Sequence, residues 1–378
     1  MELIQSFLNL VAPPITFVSL GFLLPAFVFF KYFLSFVRTV FSEDITGKVV
    51  LITGASSGIG EHLAYEYANR GAQLALVDRR ETPLEEVANT ARYYGSPDVI
   101  TIPADISNLQ DCRRIIDVTI NHFGQRKHNQ STFQSKHITI GFLDTFTSIL
   151  CSIAVDHLVN NAGIANMTLF EEIKDITSFN QIMDTNYWGS VYTTRFAIPY
   201  LRNSRGKIIV LSSTAAWLSA PRMSVYNATK AALRSMFETL RVELAPEIGI
   251  TIVTPGFVES ELTKGKALYS QGTIEVHQDV RDALIGAIPV ETVEACAKAI
   301  VRSACRGDRY LTEPSWYNGL YYLKVFCPEV LEWCYRIFVY TRPGTSAAEA
   351  PSKKTVDITG AKNVMYPPSI HSAEIEDD

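Results

Sequence analysis

The chain predicts an α/β fold, a doubly wound Rossmann-type sheet of seven parallel strands forming a single catalytic domain behind an apolar N-terminal anchor. From Gly47 onward, short β-branched runs alternate with helical stretches, the pattern of βαβ units. A glycine-rich turn also stands between the first such run and the first helical stretch, where a doubly wound sheet receives its ligand.

From Leu3 to Phe30 no residue is charged, and Leu, Phe and Val dominate; this is membrane-length apolar sequence. A cleaved secretory signal fits less well, because Glu2 is acidic and no Lys or Arg precedes Lys31. Residues 1–41 are therefore read as a membrane anchor, a hairpin or a single span. Pro13-Pro14 and Pro25 flank Ser19-Leu20-Gly21 and would interrupt the helical ladder, which favours the hairpin, with a tilted span as the alternative. Lys31, Arg38 and Lys48 place positive charge on the domain side and favour a cytoplasmic domain.

Strands are expected at Val49–Thr53, Leu74–Val77, Val99–Pro103, His157–Asn160, Lys207–Ser212 and Ile250–Val253, with a short last one near Arg309–Leu311. Within the domain, read over residues 47–314, the segment 125–154 is an insertion after a helix ending near Gly124, since a helix-to-strand loop of this kind usually takes about 2–6 residues. It reads as a disordered loop or as translated intron sequence. Residues 315–341 crowd aromatics such as Trp316, Tyr322, Phe326 and Trp333 with few charges, as an amphipathic segment resting on a membrane interface does; core packing explains some of them. Beyond Arg342 the composition turns to Pro, Ser, Ala and Lys and ends in acidic residues, so 342–378 is expected to be a disordered tail.

A formal net charge of −5 gives no electrostatic footprint for nucleic acid, so nucleic-acid binding is excluded early. The six cysteines show no CxxC or Cys/His spacing suited to zinc; buried, inert thiols are expected, and no metal site.

The chemistry-bearing residues come in order. Thr53-Gly54-Ala55-Ser56-Ser57-Gly58-Ile59-Gly60 must turn tightly, let backbone approach a pyrophosphate and open a helix whose first amides receive its charge. The spacing Gly-x3-Gly-x-Gly differs from that of ordinary Rossmann enzymes. Asp105 ends the third strand, where a helix N-cap is its plain reading. Asn160-Asn161-Ala162-Gly163 closes the fourth strand. Tyr226 and Lys230, four apart, share one helix face; Ser213 lies thirteen residues before the tyrosine, and Asn186 twenty-seven before that serine. A phenol with an ordinary pKa of about 10 is a poor base near neutrality, and a neighbouring ammonium is expected to lower it. Pro255-Gly256-Phe257-Val258 follows the sixth strand.

With these motifs in this order, the sequence resembles the short-chain dehydrogenase/reductase family over roughly Gly47–Pro314. Within it, the sequence looks like the 11-beta-hydroxysteroid dehydrogenase-like branch, the plant steroleosins of oil bodies in particular. The proline-bearing apolar N-terminus, the aromatic C-terminal stretch and the wording Leu74-Ala75-Leu76-Val77 carry that likeness. The resemblance implies hydride transfer between NAD(P) and a hydroxyl or ketone on a steroid- or sterol-like lipid. It makes Tyr226 the proton donor or acceptor and Lys230 its fixed charge, lets Ser213 polarise the substrate oxygen, and has Asn186 hold a relay water. It gives cofactor binding to Gly54, Ser56, Ser57, Gly58, Ile59, Gly60, Asp105, Asn161, Ala162, Gly163, Tyr226, Lys230, Pro255, Gly256 and Val258. Cofactor choice stays open: Asp78 suits the ribose hydroxyls of NAD, Arg79 and Arg80 suit the extra phosphate of NADP, and the branch usually takes NADP. A solvated charge cluster is the plainer reading of Arg80. The resemblance further implies an endoplasmic-reticulum or lipid-droplet surface as partner, and it allows a homodimer. Two rivals remain: a lipid-droplet coat protein using the domain as a scaffold, and a reductase of long-chain lipid ketones or retinoids.

Overall fold

The computed structural model describes residues 2–40, 42–134 and 155–371. After an N-terminal helix α1 (Glu2–Val40), β1 (Val49–Thr53), α2 (Gly58–Ala68), β2 (Gln73–Asp78), α3 (Glu81–Tyr93), β3 (Val99–Pro103), α4 (Leu109–Gln134) and β4 (His157–Asn160) alternate. Then follow α5 (Gly189–Ser204), β5 (Lys207–Leu211), α6 (Ser224–Glu243), β6 (Gly249–Pro255), a small antiparallel pair β7 (Lys266–Leu268) and β8 (Ile274–Val276), α7 (Gln278–Ile285), α8 (Val293–Arg306) and β9 (Tyr310–Glu313). Seven strands form one sheet in the order β3-β2-β1-β4-β5-β6-β9, every neighbouring pair parallel, as the alternation predicts.

The sheet is covered on both faces, so β1 and β4 at its centre are buried at every position rather than every second one. Val50 and Ile52 of β1 join Leu63, Leu84 and Ile300 from α2, α3 and α8 on one face. Val49 and Leu51 join Ile115, Leu201 and Phe237 from α4, α5 and α6 on the other. The strand order reverses between β1 and β4, and the crevice at their carboxyl ends is where such a sheet holds a ligand.

At the opposite edge, the Glu43 carboxylate ties the exit of α1 to the base of the sheet. It pairs with Lys48, Lys207 and His157, whose other ring nitrogen meets the Tyr67 hydroxyl at 2.9 Å. Burial would raise the Glu43 carboxyl, but the bonds to His157, Lys207 and Lys48 hold it well below the ordinary range.

Three expectations are corrected. The turn at Ser19-Leu20-Gly21 is not formed: α1 runs unbroken through Pro13, Pro14 and Pro25. Missing N–H donors weaken the ladder, but reversing the chain needs a turn residue, and Gly21 is not among the glycines with positive φ. The helix before the insertion does not end near Gly124 but continues to Gln134, through a polar stretch with no proline or further glycine to stop it. The rest of that segment, 135–154, lies outside the described residues. The tail is not disordered over its described length. A 3₁₀ turn Ala347–Glu349, helices Pro351–Thr359 and Lys362–Met365 and a 3₁₀ turn Pro368–Ile370 pack onto the domain, burying Ala350, Val356, Tyr366 and Ile370. Those few apolar residues anchor a segment whose average composition suggested none.

Candidate active site

At the crevice the chain encloses a cleft of about 360 Å³. Its floor is the glycine-rich turn. Gly54 has φ +67°, and a Cβ there would lie 2.6 Å from the Ala162 Cα; one on Gly60 would lie 1.9 Å from the Gly54 carbonyl oxygen. Close backbone contact therefore requires glycine at both positions. Asn161 closes this layer by donating from Nδ2 to the Thr53 and Gly54 carbonyls at 3.1 and 2.9 Å. Ser57 stands at the N-cap of α2 without making a cap bond, so the first amides of the helix remain available to an anion. The turn, its close packing and the uncapped helix start fit a dinucleotide pyrophosphate.

Gly54, Ser57, Gly58, Ile59, Asp78, Arg79, Asp105, Asn161, Ala162, Gly163, Ser213, Tyr226, Lys230, Pro255, Gly256 and Val258 all line the cleft. Ser56, Gly60 and Asn186 stand one layer behind it. Asp105 faces the cleft but does not cap α4: its carboxylate accepts from the Ser107 amide and hydroxyl at 2.9 and 2.8 Å, while Asn108 Oδ1 accepts from the Gln110 amide at 2.8 Å at the start of the helix.

Arg80 corrects the picture of a solvated cluster. Its guanidinium donates to Ser56 Oγ at 2.9 Å and Ser57 Oγ at 2.7 Å, and pairs with Glu261 at 2.8 Å. Asp78 is oriented beside it by the Ser56 amide at 3.4 Å and the Arg80 amide at 3.1 Å. Arg79 is exposed at the rim.

Ser213 ends the loop after β5 and holds its own turn by accepting from the Ala215 amide at 3.1 Å. Tyr226 and Lys230 project from α6, whose first turn is positioned by Asn166: its Oδ1 accepts from the Tyr226 amide and its Nδ2 donates to the Arg222 carbonyl, both at 2.9 Å. Burial pushes the Tyr226 phenol up to about 12, with the Ser213 hydrogen bond opposing it. Burial also lowers Lys230 to about 8. The expected lowering of the phenol by its neighbour is therefore absent in the chain alone. Nζ sits 5.6 Å from the tyrosine ring centroid and donates to the Leu211 carbonyl at 2.8 Å, so desolvation wins.

Asn186 lies in a π-helical turn, Asp184–Trp188. Its side chain exchanges hydrogen bonds with the Ile164 backbone at 2.8 and 2.9 Å and donates to Thr229 Oγ1 at 3.0 Å. A side chain on Gly163 would come within 3.1 Å of Asn186 Oδ1 and 3.4 Å of Lys230 Nζ, so this glycine keeps the space between them open.

Beyond Ser213 the cleft turns apolar, walled by Leu218, Met223, Leu268, Ile288 and Leu320. Tyr317 begins helix α9 (Tyr317–Phe326); its ring fills the space a Gly256 side chain would occupy, and its hydroxyl accepts from the Phe257 amide at 3.3 Å. Sequence reasoning missed Asn166, Thr229, Glu261 and Tyr317 as supports of the site. Each acts through a long-range contact that no local motif announces, although Asn166 follows closely on the Asn160–Gly163 turn.

The comparisons agree with this geometry. The family model described as short chain dehydrogenase matches residues 48–126 and 148–269, leaving out most of the expected insertion. The chain is 54% identical over its whole length, and the relative's, to "11-beta-hydroxysteroid dehydrogenase A" of Arachis hypogaea. It is 53% identical, again over the whole of both chains, to "11-beta-hydroxysteroid dehydrogenase 1A" of Arabidopsis thaliana. Among solved structures, an "NADH-dependent reductase A1-R' responsible for alginate metabolism" superposes with a TM-score of 0.53 at 25% identity, covering 71% of this chain and 96% of that one. A short-chain type dehydrogenase/reductase from Mycobacterium marinum, at 24% identity, shares the fold with a TM-score of 0.56 over 71% of this chain and 94% of its own. The chain belongs to the short-chain dehydrogenase/reductase family, in its 11-beta-hydroxysteroid dehydrogenase-like branch, and is an NAD(P)-dependent oxidoreductase.

Proposed function

We propose that this enzyme interconverts a hydroxyl and a ketone on a steroid- or sterol-like lipid at a membrane surface. The observation that carries the reading is the position of the Ser213–Tyr226–Lys230 set, at the boundary between a cleft half suited to a dinucleotide and an apolar half. The names of the relatives point to the same substrate class.

The bound nicotinamide would supply or accept the hydride. Ser213 and Tyr226 both line the cleft, where their hydroxyls would converge on the place of the substrate oxygen. With its phenol pushed up to about 12, Tyr226 holds its proton at neutral pH and is poised to donate it to a developing alkoxide. Lys230 supplies positive charge beneath the ring and favours the phenolate that results. Asn186 fixes one wall of the space beside Lys230 through which a relay water would return the proton. Gly54, Ser57, Gly58 and Ile59 would cradle the pyrophosphate, with Ser56 and Gly60 bracing the turn. Asp78, Arg79 and Asp105 would face the adenosine, and Asn161, Ala162, Gly163, Pro255, Gly256 and Val258 the nicotinamide side. Asp78 and Arg79 set the preference between NAD and NADP.

The anchor reading rests on α1, of which Ile4–Val40 is long and apolar enough to cross a membrane and lies unburied against the domain. Helix α9 carries Tyr317 and Leu320 toward the cleft while Tyr322, Val325 and Phe326 stand exposed, so one helix links an apolar phase to the substrate half. The domain then faces the cytoplasm at the endoplasmic reticulum or a lipid droplet.

Full-length protein in lipid vesicles should be assayed against steroid, sterol, retinoid and sphingoid alcohols and ketones with both cofactors. Turnover of steroids or sterols is expected. Turnover confined to retinoids or sphingoids would overturn the substrate class, and turnover of none would favour the scaffold alternative. Protease protection on intact microsomes, with tags at both termini, reads the anchor: digestion of both tags means that the N-terminus stays on the cytoplasmic side, and a protected N-terminal tag means a spanning helix.

A further inference from the structure

We propose that the C-terminal segment, residues 346–371, is a strap that fixes the flap over the substrate half of the cleft, with Arg281 as the positioning residue where flap and strap cross. The proposal rests on reading the apolar half of the cleft as the substrate subsite. The flap, residues 259–287, and the strap both extend beyond the family match, which ends at residue 269.

Arg281 on α7 is wholly buried. Its Nη1 donates to the Thr263 carbonyl at 3.2 Å, near the start of the flap, and to the Ile370 carbonyl at 2.6 Å, on the strap. Its Nε donates to Asp282 at 2.7 Å, and its guanidinium lies 5.6 Å from the Tyr366 ring centroid. Around this point the strap makes further bonds. Tyr366 donates its hydroxyl proton to the Gly286 carbonyl at 2.8 Å, and the Met365 carbonyl accepts from the Val290 amide at 2.8 Å. Ser352 donates to the Ala283 carbonyl at 2.7 Å, and Lys362 to Asp282 at 3.3 Å.

The strap also reaches the cleft through its apolar side. Tyr366 and Ile370 pack in one cluster with Ile285, Val290, Phe257 and Ile288, and the last two line the cleft. Displacing the strap would therefore remove the backing of the substrate wall without touching the glycine-rich turn. A buried guanidinium is costly to enclose and costly to leave unpaired, so it holds flap and strap in one arrangement. If the flap is closed only part of the time, apparent substrate affinity falls in proportion to the closed fraction.

The test uses full-length protein with cofactor bound and no substrate, comparing amide hydrogen exchange over residues 262–288 in wild type, Tyr366→Phe, Arg281→Met and Arg281→Lys. Cofactor affinity, KM and kcat are measured beside it. Loss of one buried hydrogen bond by Tyr366→Phe should speed flap exchange and raise KM about fivefold to tenfold, with kcat and cofactor affinity little changed. Arg281→Met should do so more strongly, and Arg281→Lys should recover part of the loss. Wild-type exchange in the flap of Tyr366→Phe, or a loss shared equally by kcat and cofactor affinity, overturns the proposal. Should Arg281→Met fail to fold, Tyr366→Phe decides alone. The exchange measurement needs no substrate, so failure to find a steroid or sterol substrate would count against the functional reading and leave the strap to be judged on its own.

Discussion

Replacing Lys230 with Met keeps the length and apolar stem of the side chain and removes its ammonium. In the native chain that group is enclosed, and burial lowers its pKa from 10.5 to about 8. Below about pH 8 both folded and unfolded states carry the proton, and folding must strip the ammonium of water at a cost of about 3 kcal/mol. Between about pH 8 and 10.5 the unfolded chain still binds the proton that the folded chain has released, so the penalty fades and wild-type stability rises with pH relative to a chain without this group. The Met variant also leaves the Leu211 carbonyl without its donor, which offsets about 1–3 kcal/mol at every pH. The difference between the proteins at a single pH is therefore ambiguous in sign, whereas its change with pH is not. Denaturant unfolding of cofactor-free protein at pH 7 and pH 10 should show the variant losing about 2–3 kcal/mol of its relative stability across that interval. Buried tyrosines such as Tyr67 and Tyr317 titrate in both proteins and cancel in the comparison. The variant should have no turnover at either pH. A stability difference that does not move with pH would refute the claim that Lys230 is held as a desolvated ammonium.

Tyr226→Phe removes one oxygen and keeps the ring, so cofactor affinity should survive while turnover falls by about 10²–10⁴-fold; near-normal rates on an identified substrate would remove Tyr226 from proton transfer. Asp78→Ala should improve binding of NADP relative to NAD, since it deletes a carboxylate fixed beside the ribose position, and an unchanged ratio in cofactor titrations would shift the credit to Arg79. Deleting residues 127–147, which the family model skips, should leave cofactor affinity intact, because this connection enters β4 at the end of the sheet opposite the crevice; loss of cofactor binding would contradict that placement.

The sheet was legible because short β-branched runs alternate with helical stretches, and the expected bounds of β1, β3 and β4 match the observed ones to the residue. The grouping of Ser213, Tyr226 and Lys230 in one cleft was legible because Tyr226 and Lys230 are joined by helical periodicity and Ser213 follows the end of β5 just before them. Helix and tail boundaries were harder. The extension of α4 past Gly124 has no apolar periodicity to mark it, and the tail is held by isolated residues such as Tyr366 and Ile370 within polar sequence. In the chain without cofactor, burial governs the Tyr226 phenol: sequence spacing brings an ammonium near it, but only the fold shows that both are buried and that Nζ donates to the Leu211 carbonyl.

The contact between Gly256 and Tyr317 joins two parts of the chain that sequence reading kept apart. The Pro255–Val258 segment was assigned to the cofactor and 315–341 to the membrane. Yet a Cβ on Gly256 would meet the Tyr317 ring at 2.1 Å, and the Phe257 amide donates to the Tyr317 hydroxyl. Tyr317 is almost wholly buried while Phe326, nine residues along the same helix, is 78% exposed. A helix of this length spans only about 15 Å. The proposed lipid-facing surface and the proposed nicotinamide-holding backbone are thus two ends of one rigid element. An apolar substrate leaving the membrane beside Phe326 and Val325 would travel along that helix, past Leu320, and meet the phenol of Tyr226 without having to cross water. The aromatic residues that the sequence assigned to a membrane interface therefore share one helix with residues that line the cleft, as the proposed apolar substrate class requires.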